Sequence, residues 1–362
     1  MAKRMRLIGG GTLLLLLLYL ALFPRPLGPE LMVGIENGIM LQDAEPSSQG
    51  ATPPLFSFQL DPYFGYIDSG GILTYMDHIQ GGIALTQDGF INYSSVSETH
   101  VYQDGYGRIE QVVQASGYPV LRAGRVFVLG PGGARLSEWG ATGARMWERE
   151  FASLITAFDA TDTTAVVGLL SGELVVLNEE GQEIQRYQAR RSRVPVVYGV
   201  DVDTTGDRVV LVFGLDPQIV TLLEHDGERY VPRFERELSS ELREPVPVQF
   251  FEASGRIVLE QIDNLGMSSL LSLRHDGREA ADLPLVGRLH SLLQPVGSPV
   301  FVALAEKSDT PNAFELLIWA GADRVVARVP FSAEISYLGD GPDGSLLLGI
   351  DSRVLQLRLE EG

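Results

Sequence analysis

Beyond residue 55, the chain repeats one pattern of hydrophobic and polar positions. A short apolar run meets a turn rich in Asp and Gly, and a second, stronger apolar run follows, as in YPVLRAGRVFVL and ITAFDATDTTAVVGLL. Each copy predicts two antiparallel strands around a tight turn. The seven copies begin at Ile72, Tyr118, Ile155, Val197, Val248, His290 and Ser336.

The spacing of these copies indicates the architecture. The second runs, from Ile83 to Leu346, recur at steps of 43, 39, 44, 48, 43 and 46 residues, whereas a four-stranded propeller blade takes about 40–50 residues. A second series of turns runs in phase and predicts hairpins between third and fourth strands, at Gly143, Gly181, Gly227, Gly277 and Gly321. We therefore predict an all-β fold with a single propeller over residues 55–362, of seven four-stranded blades rather than six or eight. A pair of β-sandwiches would show spacings of about 8–12 residues without the longer period, and a solenoid would repeat every 20–30 residues or so.

The last repeat is one strand short. After Leu346–Ile350 and Arg353–Leu359 the sequence ends at Gly362. The segment Leu55–Leu60, upstream of the first repeat, is predicted to supply the missing strand and close the ring. Closure would cover sheet edges that otherwise pair with other chains.

The N-terminus predicts a membrane anchor. Residues 1–6 carry Lys3, Arg4 and Arg6, and Leu7–Phe23 is uncharged and strongly apolar. Its seventeen residues are close to the roughly 20 that span a bilayer, and the small residues of a cleavage site are missing, so an uncleaved signal anchor is favoured over a cleaved signal peptide. The positive-inside rule places residues 1–6 in the cytoplasm. We expect a single-pass protein of the cytoplasmic (inner) membrane, with residues 24–54 as linker and the propeller in the periplasm or outside the cell.

Charge and cysteine content exclude several functions. The formal net charge is −19, which disfavours nucleic acid and anionic lipid headgroups as partners. The chain has no cysteine. Disulfides, cysteine zinc sites, thiol nucleophiles and a lipidated cysteine are therefore excluded.

Catalytic and metal motifs are weak. The five histidines form no HxH or HExxH pair, and the DVDTTGD segment of Asp201, Asp203 and Asp207 has Thr205 where a calcium loop needs a ligand. In a hairpin, Asp is favoured because its carboxylate accepts nearby backbone N–H groups. We expect no catalytic residue, metal or cofactor.

The turns predict two charged faces. In a propeller the first and third turns of every blade emerge on one face, and the links between blades lie on the other. The candidate acidic interaction residues are Asp77, Asp159, Asp201, Asp203, Glu252 and Asp340. The candidate basic interaction residues are Arg190, Arg191 and Arg193. The alternative is that turns simply favour Asp.

Two segments carry a resemblance to a known family. SGELVVLNEEGQEIQRYQ from Ser171 and GGARLSEWGATGARMWERE from Gly132, with Trp147 at the closing-tryptophan position, resemble the quinoprotein-like (PQQ-like, WD40-like) β-propeller repeats. That family includes quinoprotein dehydrogenases and the propeller subunit of the outer-membrane β-barrel assembly machine. The vicinal cysteine pair of the dehydrogenases is missing, so the resemblance implies the fold and favours the non-enzymatic branch.

These features predict a membrane-anchored scaffold. The propeller would bind envelope proteins through its faces, with the N-terminal helix in the membrane and no nucleic acid as partner. The alternatives are a propeller enzyme and a small-ligand sensor that uses the central channel. Polar side chains from the first strands lining that channel would favour the sensor.

Overall fold

A computed structural model describes residues 31–47, 52–94, 96–239, 242–263, 265–295, 298, 300–308, 310–321 and 324–361. These residues form 31 strands in eight antiparallel sheets, together with three short 3-10 helices at Leu41–Asp43, Glu252–Ser254 and Pro342–Gly344. The sheets are the blades of an eight-bladed propeller.

The blades follow one another along the chain. Blade 1 has β2 (Leu55–Leu60), β3 (Tyr63–Asp68) and β4 (Leu73–His78). Blade 2 has β5 (Gly82–Leu85), β6 (Gly89–Tyr93), β7 (Thr99–Asp104) and β8 (Ile109–Gln114). Blade 3 has β9 (Tyr118–Arg122), β10 (Arg125–Leu129), β11 (Arg135–Trp139) and β12 (Arg145–Glu150). Blade 4 has β13 (Ile155–Ala160), β14 (Ala165–Leu169), β15 (Glu173–Leu177) and β16 (Glu183–Gln188).

The second half of the ring repeats this arrangement. Blade 5 has β17 (Val194–Val202), β18 (Arg208–Leu215), β19 (Ile219–His225) and β20 (Tyr230–Glu237). Blade 6 has β21 (Val248–Phe251), β22 (Arg256–Ile262), β23 (Ser268–Arg274) and β24 (Glu279–Pro284). Blade 7 has β25 (Gly287–Leu293), β26 (Val300–Lys307), β27 (Phe314–Ala320) and β28 (Arg324–Phe331). Blade 8 has β29 (Ile335–Asp340), β30 (Leu346–Ile350), β31 (Arg353–Glu361) and, as its fourth strand, β1 (Leu31–Met40).

The hydrophobic core lies between the blades. Middle strands such as β14 (AVVGL) and β15 (ELVVL) are apolar and buried along almost their whole length, because each blade is covered on both faces by its neighbours. Trp147 on β12 joins two blades. Its indole Nε1–H donates to the Glu179 carbonyl of blade 4 at 3.2 Å, and its ring covers Gly181. The predicted closing tryptophan therefore packs blade 3 against blade 4.

Two faces result from the strand order. The turns between first and second strands, and between third and fourth strands, lie at one end of each four-stranded blade. We call this end the hairpin face. The other end, with the turns between second and third strands and the links between blades, is the crossover face. The first strands of neighbouring blades contact each other and surround the central channel.

The predicted blade count of seven is wrong, because the structure has eight blades. The segment from Ile72 was interpreted as one hairpin, but β4 and β5 belong to different blades and do not pair. Residues 79–81 link them, and this link is as short as a hairpin turn, so the two connections look alike in the sequence.

The closing strand was also misassigned. Leu55–Leu60 forms β2 in the three-stranded blade 1, and the strand that completes blade 8 is β1, from the predicted linker. β1 pairs antiparallel with β31 from Leu31 opposite Glu361 to Met40 opposite Arg353.

The fold also corrects the expectation of an anchored propeller. In the part of the chain that the structure describes, no helix is long and apolar enough to cross a bilayer. The predicted anchor, Leu7–Phe23, lies outside the described residues. The described chain is all β, and the structure therefore contradicts the predicted fold with a transmembrane helix and the single-pass inner-membrane location inferred from it.

Candidate functional site: the central channel and the crossover face

The central channel contains a polar cavity of about 300 Å³. The first strands of blades 3 to 7 form its wall, and they place Arg122, Asp159, Asp201, Gln249 and His290 around it. Apolar side chains from the same strands fill the space between these groups. The channel therefore combines convergent polar groups with an apolar wall, which is typical of a small-molecule site.

A chain of polar contacts crosses this wall. Arg122 Nε lies 3.2 Å from Asp159 Oδ1, and Asp159 Oδ2 accepts the Val202 N–H at 3.1 Å. Asp201 Oδ2 accepts the Phe250 N–H at 2.5 Å. Each aspartate thus binds a backbone N–H of the next blade's first strand, and the contacts connect four consecutive blades.

The two carboxyl groups perturb each other. Burial and the neighbouring Asp159 charge hold the pKa of Asp201 well above its usual range. Burial also raises the pKa of Asp159, against the effects of the Val202 N–H, the Arg122 guanidinium and a hydrogen bond from Asp201. The pair therefore retains a proton above the pH at which a free aspartate ionises, with Asp201 donating to Asp159. Such a pair can both donate and accept hydrogen bonds with a polar group in the channel.

The other predicted acidic residues lie apart from this pair. Asp203 is buried, and its Oδ1 accepts the Arg208 N–H at 3.0 Å and the Thr205 hydroxyl at 3.1 Å, so it stabilises its own turn. Glu252 accepts the Thr204 hydroxyl at 2.7 Å and thereby connects blade 6 to the first turn of blade 5.

The remaining two predicted acidic residues lie in blades 1 and 8. Asp77 is exposed on β4, and Asp340 ends β29. The structure thus brings Asp159 and Asp201 together and distributes the other four. Among the described residues, no group of three or more His, Cys, Asp or Glu side chains could hold a metal ion.

The three predicted arginines lie together in the link from blade 4 to blade 5, on the crossover face. Arg191 contacts Glu235 and Glu237 of β20 at 3.0 and 3.1 Å. Arg193 pairs with Asp216 at 3.3 Å, and both side chains are largely exposed.

The same face carries exposed apolar residues that the sequence analysis did not identify. They occupy turns, links and the first residues of two strands in blades 2 to 6, where soluble monomers usually place polar residues. They are Val96, Tyr118, Leu154, Leu170, Val194, Leu265 and Met267. Large apolar side chains in turn positions were the signal in the sequence. Grouped exposed apolar surface marks interaction sites.

A second cavity, of about 330 Å³, lies between blades 5 and 6 on the hairpin face. Arg208, Glu224, Arg233 and His275 line it, and Glu224 contacts both arginines. Burial lowers the pKa of His275. The charged side chains of this cavity largely pair with one another. Fewer polar groups are therefore left to bind a ligand here than in the channel.

Comparisons with known proteins agree with this fold. BamB from Moraxella catarrhalis superposes with a TM-score of 0.60 at 14% sequence identity, over 90% of this chain and 100% of BamB. The computationally designed Ika8 protein gives 0.61 at 13%, over 85% and 94%. The resemblance to quinoprotein-like propellers such as BamB is confirmed, and at these identities it concerns the fold.

A relative is also found in sequence. An uncharacterized protein of Treponema pallidum (strain Nichols) is 24% identical over 295 residues, which are 81% of this chain and 76% of the relative. A family model described as "beta-propeller protein" matches residues 2–362, and the chain therefore belongs to this β-propeller family.

Proposed function

We propose that the protein is a protein-interaction scaffold that binds partners of the cell envelope through its crossover face. The observation that carries the proposal is the run of exposed apolar side chains over blades 2 to 6 of that face. A rigid ring of packed sheets can present such residues at fixed distances at little cost in conformational entropy on binding. The resemblance to BamB supports envelope proteins as the partners.

Site-specific photocross-linking in cells tests the scaffold. A photoreactive phenylalanine analogue would replace Leu170 or Leu265 on the crossover face, and Met146 or Ile184 on outer strands as controls of similar exposure. We expect discrete adducts from the two crossover positions and few from the controls. Equal adducts at all four positions, or none at Leu170 and Leu265, would refute the proposed docking face.

The channel supports a second candidate, recognition of a small polar molecule. The polar lining contributed by the first strands favours it. A thermal-shift screen of small polar metabolites would use the wild type and Gln249→Ala, which removes a polar group from the cavity lining, side by side. A channel ligand should raise the melting temperature of the wild type and not that of the variant, whereas equal shifts would place binding elsewhere.

A further inference from the structure

A compact part of the crossover face combines apolar and basic side chains. Leu154 precedes β13 and Leu170 follows β14, and the Leu170 N–H donates to the Leu154 carbonyl at 2.8 Å, so these exposed leucines are spatial neighbours. Gly172 packs directly against Pro195, which brings the exposed Val194 beside them. The patch lies where blades 4 and 5 meet.

Arg190 and Arg193 complete this surface, which we call the junction patch: Leu154, Leu170, Val194, Arg190 and Arg193. Arg191, between the two arginines, has a φ of 73° and contacts two carboxylates of β20. A positive φ is rare in a residue with a side chain, and here it turns the link so that Arg190 and Arg193 are exposed.

The two outer arginines remain available for a partner. Among the described residues, no carboxylate forms an ion pair with Arg190. Arg193 and its partner Asp216 are 81% and 69% exposed, and an ion pair this exposed contributes little and exchanges readily. On a chain with a net charge of −19, the junction patch thus places two exposed arginines next to apolar surface: Arg190, outside the ion pairs of the described residues, and Arg193, in an exposed ion pair.

We propose that the junction patch binds a segment of a partner protein in which acidic side chains alternate with apolar ones. This inference rests on the proposed scaffold function and specifies its site and partner. Apolar side chains of the segment bury Leu154, Leu170 and Val194, which provides affinity. Its carboxylates pair with Arg190 and Arg193, which orients the segment and rejects basic sequences.

Fluorescence anisotropy with defined peptides tests the patch. The probe is a fluorescein-labelled octapeptide that alternates Glu and Leu, and the comparison peptides alternate Lys and Leu, or Glu and Ser. We expect the full-length protein to prefer the Glu–Leu peptide over both. The Arg190→Glu/Arg193→Glu double variant should bind it about tenfold more weakly, since two charge pairs become repulsions, and Leu170→Asp should also weaken binding.

The chain offers matched controls for these variants. Arg278 on the hairpin face is 80% exposed and pairs with an exposed aspartate, as Arg193 does. Ile184 is 52% exposed, against 44% for Leu170. Arg278→Glu and Ile184→Asp should leave the affinity unchanged. Far-UV circular dichroism checks folding, and Arg190→Gln/Arg193→Gln replaces the double variant if charge reversal disturbs it.

The outcomes separate this proposal from the scaffold function. Three outcomes would each refute the junction patch. In the first, the protein does not bind the Glu–Leu peptide, and in the second it binds the Lys–Leu peptide equally well. In the third, the control variants change the affinity as much as the patch variants do. Adducts from Leu265 in the cross-linking experiment would then still support a scaffold that uses another part of the face. Absence of adducts from the whole crossover face would refute the scaffold itself.

Discussion

The shared proton in the channel makes a specific prediction about stability. Asp201 keeps its proton because it is buried beside the Asp159 carboxylate. In Asp201→Asn the amide N–H can donate to Asp159 as the carboxyl O–H did, and the amide oxygen can still accept the Phe250 N–H. The substitution therefore removes a titrating group and keeps both hydrogen bonds. We expect it to increase the free energy of unfolding at pH 8.

The magnitude follows from proton linkage. An aspartate in the unfolded chain ionises near pH 4, while the folded pair holds its proton to higher pH. The folded state therefore binds more protons in this window. The contribution to stability is complete below the unfolded pKa and is lost as the pH rises through the folded pKa. One proton gives a slope of about 1.4 kcal/mol per pH unit. Over two pH units between the unfolded and the folded pKa, the wild type therefore loses about 3 kcal/mol of its free energy of unfolding, and the variant does not.

Urea denaturation at pH 5, 6, 7 and 8 measures this slope. The control is Asp226→Asn on the hairpin face, where the N–H groups of Arg229 and Glu228 lower the pKa of the carboxyl. The ionised Asp226 carboxylate stabilises the folded state, and this contribution is already complete above pH 5. Asp226→Asn should therefore lose some stability at every pH tested, without a change in how the free energy of unfolding depends on pH. If Asp201→Asn shows the same pH dependence as the wild type, the pair does not share a proton in this range.

Three further predictions concern the blades. His100 is fully buried, and burial lowers its pKa, against the effect of a hydrogen bond with the Gly117 backbone. The free energy of unfolding should therefore decrease as the pH is lowered below about 6.5, by up to roughly 1.4 kcal/mol per pH unit. Urea denaturation at pH 5 and 7 should show that His100→Phe removes this decrease. Gly181 and Gly124 share a φ of 69°, but a Cβ at Gly181 would lie 2.4 Å from the closing tryptophan and one at Gly124 meets nothing. Gly124→Ala should cost about 1 kcal/mol and Gly181→Ala distinctly more, and equal melting temperatures would contradict this packing. On the closing strand, Val33→Asp should cost about 2 kcal/mol of stability because Val33 packs into the core. Ile35 is 69% exposed, so Ile35→Asp should change stability by less than about 0.5 kcal/mol. Equal stabilities of the two variants in calorimetry would count against ring closure by β1.

Much of the fold could be predicted because its signals are local. Six of the seven predicted hairpins form, from β9–β10 to β29–β30, and all five glycines of the second turn series have a positive φ. Such turns are encoded within a few residues. The prediction failed at the first blades, where the short link between β4 and β5 resembles a turn. It also failed at β1, whose partner strand lies more than 300 residues away and leaves no local trace.

The candidate sites likewise combine features that the local sequence predicts with features that depend on contacts between distant segments. Asp159 and Asp201 are predicted as members of an acidic face, and only the packing of β13 against β17, which belong to different blades, shows that they meet in the channel. The placement of Arg190 and Arg193 on the crossover face followed from the strand order alone. The apolar residues beside them could not be selected from the sequence, because Leu154 and Leu170 adjoin strands whose leucines and valines are mostly buried.

Closure by β1 has a consequence for synthesis. The contact between Glu36 and Arg358 spans 322 residues, so the last blade cannot be completed until almost the whole chain has left the ribosome. Until β31 has been synthesised, β1 has no strand to pair with, while the blades between them in the sequence fold one after another. Contacts of such long range form late and slowly. A chaperone or partner that covers β1 during translation would therefore protect the nascent chain at its most aggregation-prone point.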